Sequence, residues 1–153
     1  MTPHLFLLHQ DSHDSPDQCA MSPSPDRLWA PWRSTFVSKR KGGRCIFCVA
    51  KASGKDRQHH VIARGKRVFA LLNRYPYNNG HLMIAPYRHV GTIEHLTHPE
   101  WAESLRMIQL LTKRLSTVLH PHGMNLGLNL GRVAGAGFPG HLHLHLVPRW
   151  SGD

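Results

Sequence analysis

The feature that most limits what this chain can become is the run His141-Leu142-His143-Leu144-His145-Leu146-Val147. Polar and apolar residues alternate with period two, the period of a strand and not of a helix. In a strand, His141, His143 and His145 share one face at intervals of about 7 Å, while Leu142, Leu144 and Leu146 share the other. The leucine face can join a core. The histidine face carries three imidazoles whose nitrogens must each be hydrogen-bonded, metal-bound or wet. A lone histidine would read as a satisfied core residue, whereas three in register, directly after a glycine-rich segment, read as chemistry.

The preceding sequence supplies a scaffold for that strand. Residues 61–64, a Gly65-Lys66 turn and residues 67–72 have the length and punctuation of a hairpin, and the turn Tyr75-Pro76-Tyr77-Asn78-Asn79-Gly80 leads to a third strand at 81–86. These three form a meander. Thr97 and Glu100 make a capping box, after which Trp101, Leu105, Ile108, Leu111, Leu115 and Val118 recur at helical spacing. That stripe reads as core cover for the sheet. His120-Pro121-His122-Gly123 ends the helix, a strand follows at 124–130, and a glycine-rich loop at 131–140 precedes the last strand at 141–147. The expected fold class is α+β, an antiparallel sheet of about five strands with one long amphipathic helix.

A chain of 153 residues with 41% apolar content can build one core, so one domain is expected over residues 27–153. Residues 1–26 are rich in Ser, Pro, Asp and His without helical or strand period, and read as a disordered extension in which Met21 is a second candidate start. Leu28-Trp29-Ala30-Pro31-Trp32-Arg33 carries two tryptophans that need cover, either as an arm laid on the domain or a second subunit, or as ordinary core. Leu5-Phe6-Leu7-Leu8 lacks a basic flank and is too short for a signal segment or a membrane span, which points to a cytoplasmic protein.

The net charge of +10 points to a polyanionic partner. The basic residues are scattered and do not interleave with aromatics as on a single-strand-binding platform, so a small phosphate ligand is favoured over nucleic acid. Neutral imidazole, with a reference pKa of about 6.5, is a competent nucleophile toward phosphorus near pH 7 without an accessory base. His143, the middle of the three, is the candidate to take a nucleotidyl group. The loop before it contains Gly131, Gly135, Gly137 and Gly140, and glycines let backbone N–H groups approach phosphate oxygens.

The triad spacing followed by Val147-Pro148-Arg149 resembles the histidine-triad (HIT) family, whose signature is three histidines alternating with apolar residues. The likeness extends through Leu71-Leu72-Asn73, Gly80-His81-Leu82-Met83-Ile84-Ala85-Pro86 and Arg88-His89-Val90, and covers roughly residues 28–150. The Leu-Trp-Ala-Pro-Trp-Arg arm, the Tyr-Pro-Tyr-Asn-x-Gly-His turn and the closing Pro-Arg-Trp are similar to the diadenosine tetraphosphate phosphorylase and hydrolase-like branch. The resemblance implies attack by His143 on an α-phosphate, an adenylyl-histidine, and release by phosphate or water. It places Asn73 at the ribose and His81 in the nucleotide-binding half. It places Asn129 and His145 at the α-phosphate, has His141 orient the triad, and implies a homodimer joined through helix and sheet edges. Where many members carry Gly-Gln-Ser/Thr before the triad, this chain has Gly137-Phe138-Pro139-Gly140. The missing amide and hydroxyl favour phosphate binding by backbone N–H groups, as in a phosphorylase. The chain also stops at Asp153, so groups that complete the pocket elsewhere are expected to be absent.

Cys45-Ile46-Phe47-Cys48 is a metal knuckle in form, or else two buried free thiols, and Cys19 reads as incidental. Tetrahedral zinc needs two further N or S ligands. The resemblance implies His89, after Pro86-Tyr87-Arg88, and His141, which would make a closed structural site; His59-His60 is a competitor expected to stand in solvent. Two other readings of the histidines stay open. An open catalytic zinc held by the triad would make activity chelator-sensitive, but the strand spreads the three rings too widely and offers no nearby glutamate base. A non-catalytic nucleotide-binding module would tolerate loss of His143. Within the family, a nucleoside phosphoramidate is an alternative substrate.

Overall fold

A computed structural model describes residues 43–153. The expectations about residues 1–26, the Leu28–Arg33 arm and Cys19 lie outside the described residues. Five strands, β1 (Val61–Arg64), β2 (Val68–Leu72), β3 (Leu82–Pro86), β4 (Gly123–Leu128) and β5 (Leu144–Arg149), form one antiparallel sheet in the order β1-β2-β3-β5-β4. The α+β class and the β1-β2-β3 meander are as expected. The histidine-bearing strand is inserted between β3 and β4, so it is central. Its pairs Leu82↔Leu146, Met83↔His145 and Ile84↔Leu144 set which side chains share a face.

Two helices cover the sheet, where the sequence pattern shows one. The long helix α2 (His98–Leu119) lies on the face of Val68, Ala70, Leu82, Ile84, Leu144 and Leu146, and buries Met107, Ile108 and Leu111 against them. The second, α1 (Ile46–Ala52), is only seven residues long and sits on the opposite face, where Phe47 and Ala50 pack with Val61, Phe69, Leu71, Met83 and Ala85. Seven residues do not complete two turns, too little for a helical period to emerge from sequence. Its presence explains why β2 and β3 are buried at nearly every position although the sheet is antiparallel. No helix among the described residues is long and apolar enough to cross a membrane.

The last strand is shorter at its start than the alternation suggests. Ladder pairing begins at Leu144, and His141 to His143 lead into it, held by a bond from the Leu142 N–H to the Val90 carbonyl at 2.6 Å. Nor is the run split cleanly into a chemical face and a core face, because every residue from His141 to Val147 is buried. α1 and the loops close over the histidine side.

The N-terminus of α2 is tied to the segment after β3. Thr97 and Glu100 form the capping box, with Glu100 N–H to Thr97 Oγ1 at 3.4 Å and Thr97 N–H to Glu100 Oε2 at 2.9 Å. The same carboxylate accepts from Arg88 Nε at 2.8 Å and Nη2 at 2.7 Å, and Arg88 also donates to the His95 carbonyl at 2.6 Å. The Arg88 guanidinium, together with the Thr97 donors and against the cost of burial, holds the Glu100 carboxyl down from 4.5 to about 2. A depressed carboxyl stabilises the fold above its unfolded value, and that contribution is lost as pH falls toward the folded value. Glu100→Gln is therefore expected to cost about 1–3 kcal/mol near neutral pH. The difference from the parent should close between pH 4.5 and about 2. Urea denaturation across that range checks it, and a gap independent of pH would rule out the charged pair as its source.

Candidate functional site

Four side chains from three parts of the chain meet beside α1. Cys45 and Cys48 flank Phe47 at the helix start, His89 follows β3, and His141 enters from the segment before β5; their ligand atoms all lie within 4.8 Å of one another. Nδ1 of His141 is 3.3 Å from Cys45 Sγ, 3.7 Å from Cys48 Sγ and 3.2 Å from His89 Nδ1, and Cys48 Sγ is 3.2 Å from His89 Nδ1. Zinc–ligand bonds of 2.0–2.3 Å give a tetrahedron with edges of about 3.3 to 3.8 Å, and these four separations lie near that range, within a cluster that spans up to 4.8 Å. The donor chemistry fits as well. His141 Nε2 lies 2.9 Å from the Pro86 carbonyl, which can only accept, so the proton sits on Nε2 and the Nδ1 lone pair faces the cysteines. Burial, reinforced by the nearby His89 and His143 and opposed by the Pro86 carbonyl, takes the His141 imidazole down to about 4. Burial also pushes the Cys45 thiol up. Both cysteines are free thiols. His59 and His60 are not in this cluster.

The same residue governs the next histidine. His143 Nδ1 is 2.7 Å from the backbone carbonyl of His141, which again can only accept, so Nδ1 carries the proton and Nε2 bears an open lone pair. The ring is 6% exposed, between Phe47 at 4.7 Å and His145 at 4.8 Å centroid separation. Burial pushes its pKa below the usual imidazole range, against the pull of the His141 carbonyl, so near pH 7 it is neutral. A neutral ring with a fixed tautomer is a nucleophile that needs no base.

A second tautomer chain sets His145. His81 Nδ1 accepts the Tyr77 backbone N–H at 3.0 Å and lies 3.3 Å from Asn73 Nδ2, so it is unprotonated. A neutral His81 then has its proton on Nε2, which donates to His145 Nδ1 at 2.9 Å. That leaves the His145 proton on Nε2, 3.5 Å from the Asn129 amide. His143 and His145 thus offer opposite functions side by side, a lone pair and an N–H donor.

The remaining expected site residues fall around this centre. His81 is 1% exposed and contacts His145 instead of lining an open pocket. Asn73 accepts the Tyr75 N–H at 3.0 Å and lines a cleft of about 180 Å³ between α1 and β2, with Ile46, Ala50, Leu71 and Met83 as apolar walls. Met83 pairs across the ladder with His145, so the cleft adjoins the triad. His59 and His60 line the same cleft; His60 is exposed, as expected, whereas His59 is half-buried.

The glycine loop is closed on itself. Gly131 and Gly135 have φ of 82° and 87°, and the Gly135 and Ala136 amides donate to the Arg132 and Gly131 carbonyls at 3.0 and 3.2 Å. Those two N–H groups therefore do not face outward here as the glycine content suggests. Gly137 is exposed, and Gly140 lies against the His89 ring, where a Cβ would be 3.5 Å from Nε2.

Three aromatic residues carry weight here that no sequence pattern assigns them. Phe47 covers both His141 and His143, Phe138 packs edge-on against Phe47 at 5.9 Å, and Tyr77 stacks on His81 at 4.9 Å. The one available signal for Phe47 is its place between the two cysteines. Phe47 is fully buried, so Phe47→Ala is expected to cost about 3–5 kcal/mol. Chemical denaturation measures this, and a loss below about 1 kcal/mol would show that the helix does not depend on that side chain.

Known proteins are similar to this chain in sequence and in fold. The HIT domain family model matches residues 55–152. A protein of Mycobacterium tuberculosis named AP-4-A phosphorylase is 43% identical over 135 residues, covering 83% of this chain and 69% of that protein. The Saccharomyces cerevisiae bis(5'-adenosyl)-triphosphatase is 32% identical over 91 residues, 59% of this chain and 44% of its own length. Among solved structures, a hypothetical histidine triad nucleotide-binding protein from Sulfolobus tokodaii is similar with a TM-score of 0.62 at 27% identity, covering 71% of each chain.

Proposed function

The chain belongs to the HIT family, and on that footing we propose that it cleaves dinucleoside polyphosphates of the diadenosine tetraphosphate type by transferring a nucleotidyl group to His143. The observation that carries this is the 2.7 Å bond from His143 Nδ1–H to the His141 carbonyl, which leaves Nε2 with a lone pair in a buried, neutral ring. In the first step Nε2 forms a bond to the α-phosphorus while the bridging P–O bond breaks and its electron pair leaves with the nucleoside polyphosphate. The His145 Nε2–H and the Asn129 amide are placed to meet the negative charge that develops. In the second step an oxygen of phosphate or water attacks the same phosphorus, the N–P bond breaks, and His143 is regenerated as ADP or AMP departs. Asn73, at the cleft adjoining the triad, is assigned to the ribose, with the base between Ile46, Leu71 and Met83. His81 acts behind His145, and Gly135, Gly137 and Gly140 belong to the loop that flanks the phosphates.

Phosphorolysis is favoured over hydrolysis. The loop Gly137-Phe138-Pro139-Gly140 has neither side-chain amide nor hydroxyl to position a water, and the 43%-identical relative bears the name of a phosphorylase. Zinc is assigned to Cys45, Cys48, His89 and His141. With four protein ligands such an ion supplies no open position, so its role is to clip α1 to the segment leading into β5. A homodimer would use the open edge of β4, where Leu126 is 52% exposed, together with Leu105 and Leu110 of α2.

Incubation with diadenosine tetraphosphate, with and without inorganic phosphate, tests the chemistry. ADP with ATP, formed only when phosphate is present, is the expected result; AMP with ATP regardless of phosphate would make the protein a hydrolase. His143→Ala should lose about 10⁴-fold or more in rate. Equal turnover by that variant would exclude the nucleophile assignment. Separately, elemental analysis should find one zinc per chain, and chelation or Cys48→Ser should lower the melting temperature. A metal-free protein with an unchanged melting temperature would return Cys45 and Cys48 to the status of buried thiols.

A further inference from the structure

The turn between β2 and β3 brings one side chain against the last triad histidine and two of its neighbours. The Tyr77 ring lies parallel to His81, with centroids 4.9 Å apart and 14° between planes, and meets the His145 ring edge-on at 5.9 Å. Its hydroxyl lies 3.4 Å from Asn129 Nδ2, on the far side of His145. Its backbone N–H is the donor that keeps His81 Nδ1 unprotonated. Through ring, hydroxyl and backbone, Tyr77 thus touches His81, His145 and Asn129 together.

An imidazole has two nearly isosteric orientations, related by a half-turn about the bond to the ring. A half-turn of His81 would put carbon where Nδ1 now accepts two donors, and would remove the Nε2–H that His145 Nδ1 requires. The error would pass to His145, whose proton would move to Nδ1 and leave Nε2 with no N–H to stand beside the Asn129 amide, itself a donor. A flat, parallel ring over His81 and an edge against His145 restrict both rotations, in the way that offset aromatic pairs hold ring planes. We propose that Tyr77 is a positioning residue, locking the His81–His145 pair in the orientation that presents the His145 Nε2–H beside Asn129. Its consequence for turnover rests on the phosphoryl-transfer reading of the site, whereas its consequence for the two imidazoles does not.

Histidine-labelled full-length protein, studied by nitrogen NMR alongside steady-state kinetics, tests this. The parent should show His81 and His145 each as a single neutral tautomer protonated on Nε2. Tyr77→Leu keeps the backbone donor but removes the ring, and should give averaged nitrogen signals for both histidines. It should lose about 30- to 100-fold in kcat with KM changed little, the size expected for a misplaced catalytic group. Tyr77→Phe keeps the ring and should restore single tautomers and a kcat within about tenfold of the parent, the loss being one neutral hydrogen bond. Tyr77→Leu with parental spectra and kcat overturns the proposal, as does a rise in KM alone, which would make Tyr77 a substrate contact. If Tyr77→Leu does not fold, the parent spectrum decides, since mixed tautomers there overturn the proposal outright. If the parent turns over no dinucleoside polyphosphate yet the tautomers scramble in Tyr77→Leu, the substrate reading fails and the positioning role stands.

Discussion

The structure depends on His141, because its ring and its carbonyl point to two different tasks. Through Nε2–H to the Pro86 carbonyl at 2.9 Å the ring is bound to the end of β3, with Nδ1 facing the cysteines. Through its own carbonyl it takes the His143 Nδ1–H at 2.7 Å. Backbone carbonyls cannot donate, so each contact fixes a tautomer without recourse to any charged group. One residue therefore decides where the lone pairs of two imidazoles point. A shift of the end of β3, which bears Pro86, would alter both at once.

That arrangement requires a dry setting, and the fold provides it by covering both faces of an antiparallel sheet. The α2 face is an ordinary apolar core. The α1 face mixes apolar packing with polar atoms that are matched in pairs: His141 with Pro86, His143 with His141, His81 with His145. Buried polar groups stabilise a fold only when each has a partner, and a half-satisfied network would cost more than an apolar core. α1 contributes to three neighbourhoods within seven residues. Cys48 faces the cysteine–histidine cluster, Phe47 covers His143, and Ile46 and Ala50 wall the cleft. Displacing it would disturb all three together, so the cysteine–histidine cluster, the His143 ring and the cleft are linked through this helix.

Much of this is legible in the amino-acid order itself. The period of two at 141–147 marks the last strand, Thr97 and Glu100 mark the start of α2, and the turn residues at 65–66 and 75–80 mark the meander. Such signals are local and are carried by chemistry that few other conformations want. What stays hidden is set by distant contacts. α1 is too short to show a period, and its helicity comes from packing Phe47 under the sheet. β5 starts at Leu144 because Leu142 bonds to Val90, far back in the chain, in place of a ladder partner. The glycines at 131 and 135 suggest amides open to phosphate, but the same left-handed freedom lets the loop fold back and bond its own carbonyls. The roles of Phe47 and Tyr77 lie in ring contacts, and aromatic residues in a helix or a turn carry no pattern that announces what they will cover.

Charge and burial pull in opposite directions in this protein, and their separation in space gives the site its character. The chain as a whole is strongly positive, which favours the approach of a polyphosphate. Yet desolvation favours the neutral form of His143 and His141, and the hydrogen bonds at His81 and His145 call for an unprotonated Nδ1 on each ring. A protonated imidazole would attract phosphate more strongly, but it would have no lone pair to give. On the proposed mechanism, neutrality preserves nucleophilicity at His143 and still leaves an N–H at His145. In the proposed reaction, long-range attraction is then the work of the surface, and the short-range contest with the leaving group falls to oriented dipoles whose direction the backbone has already set.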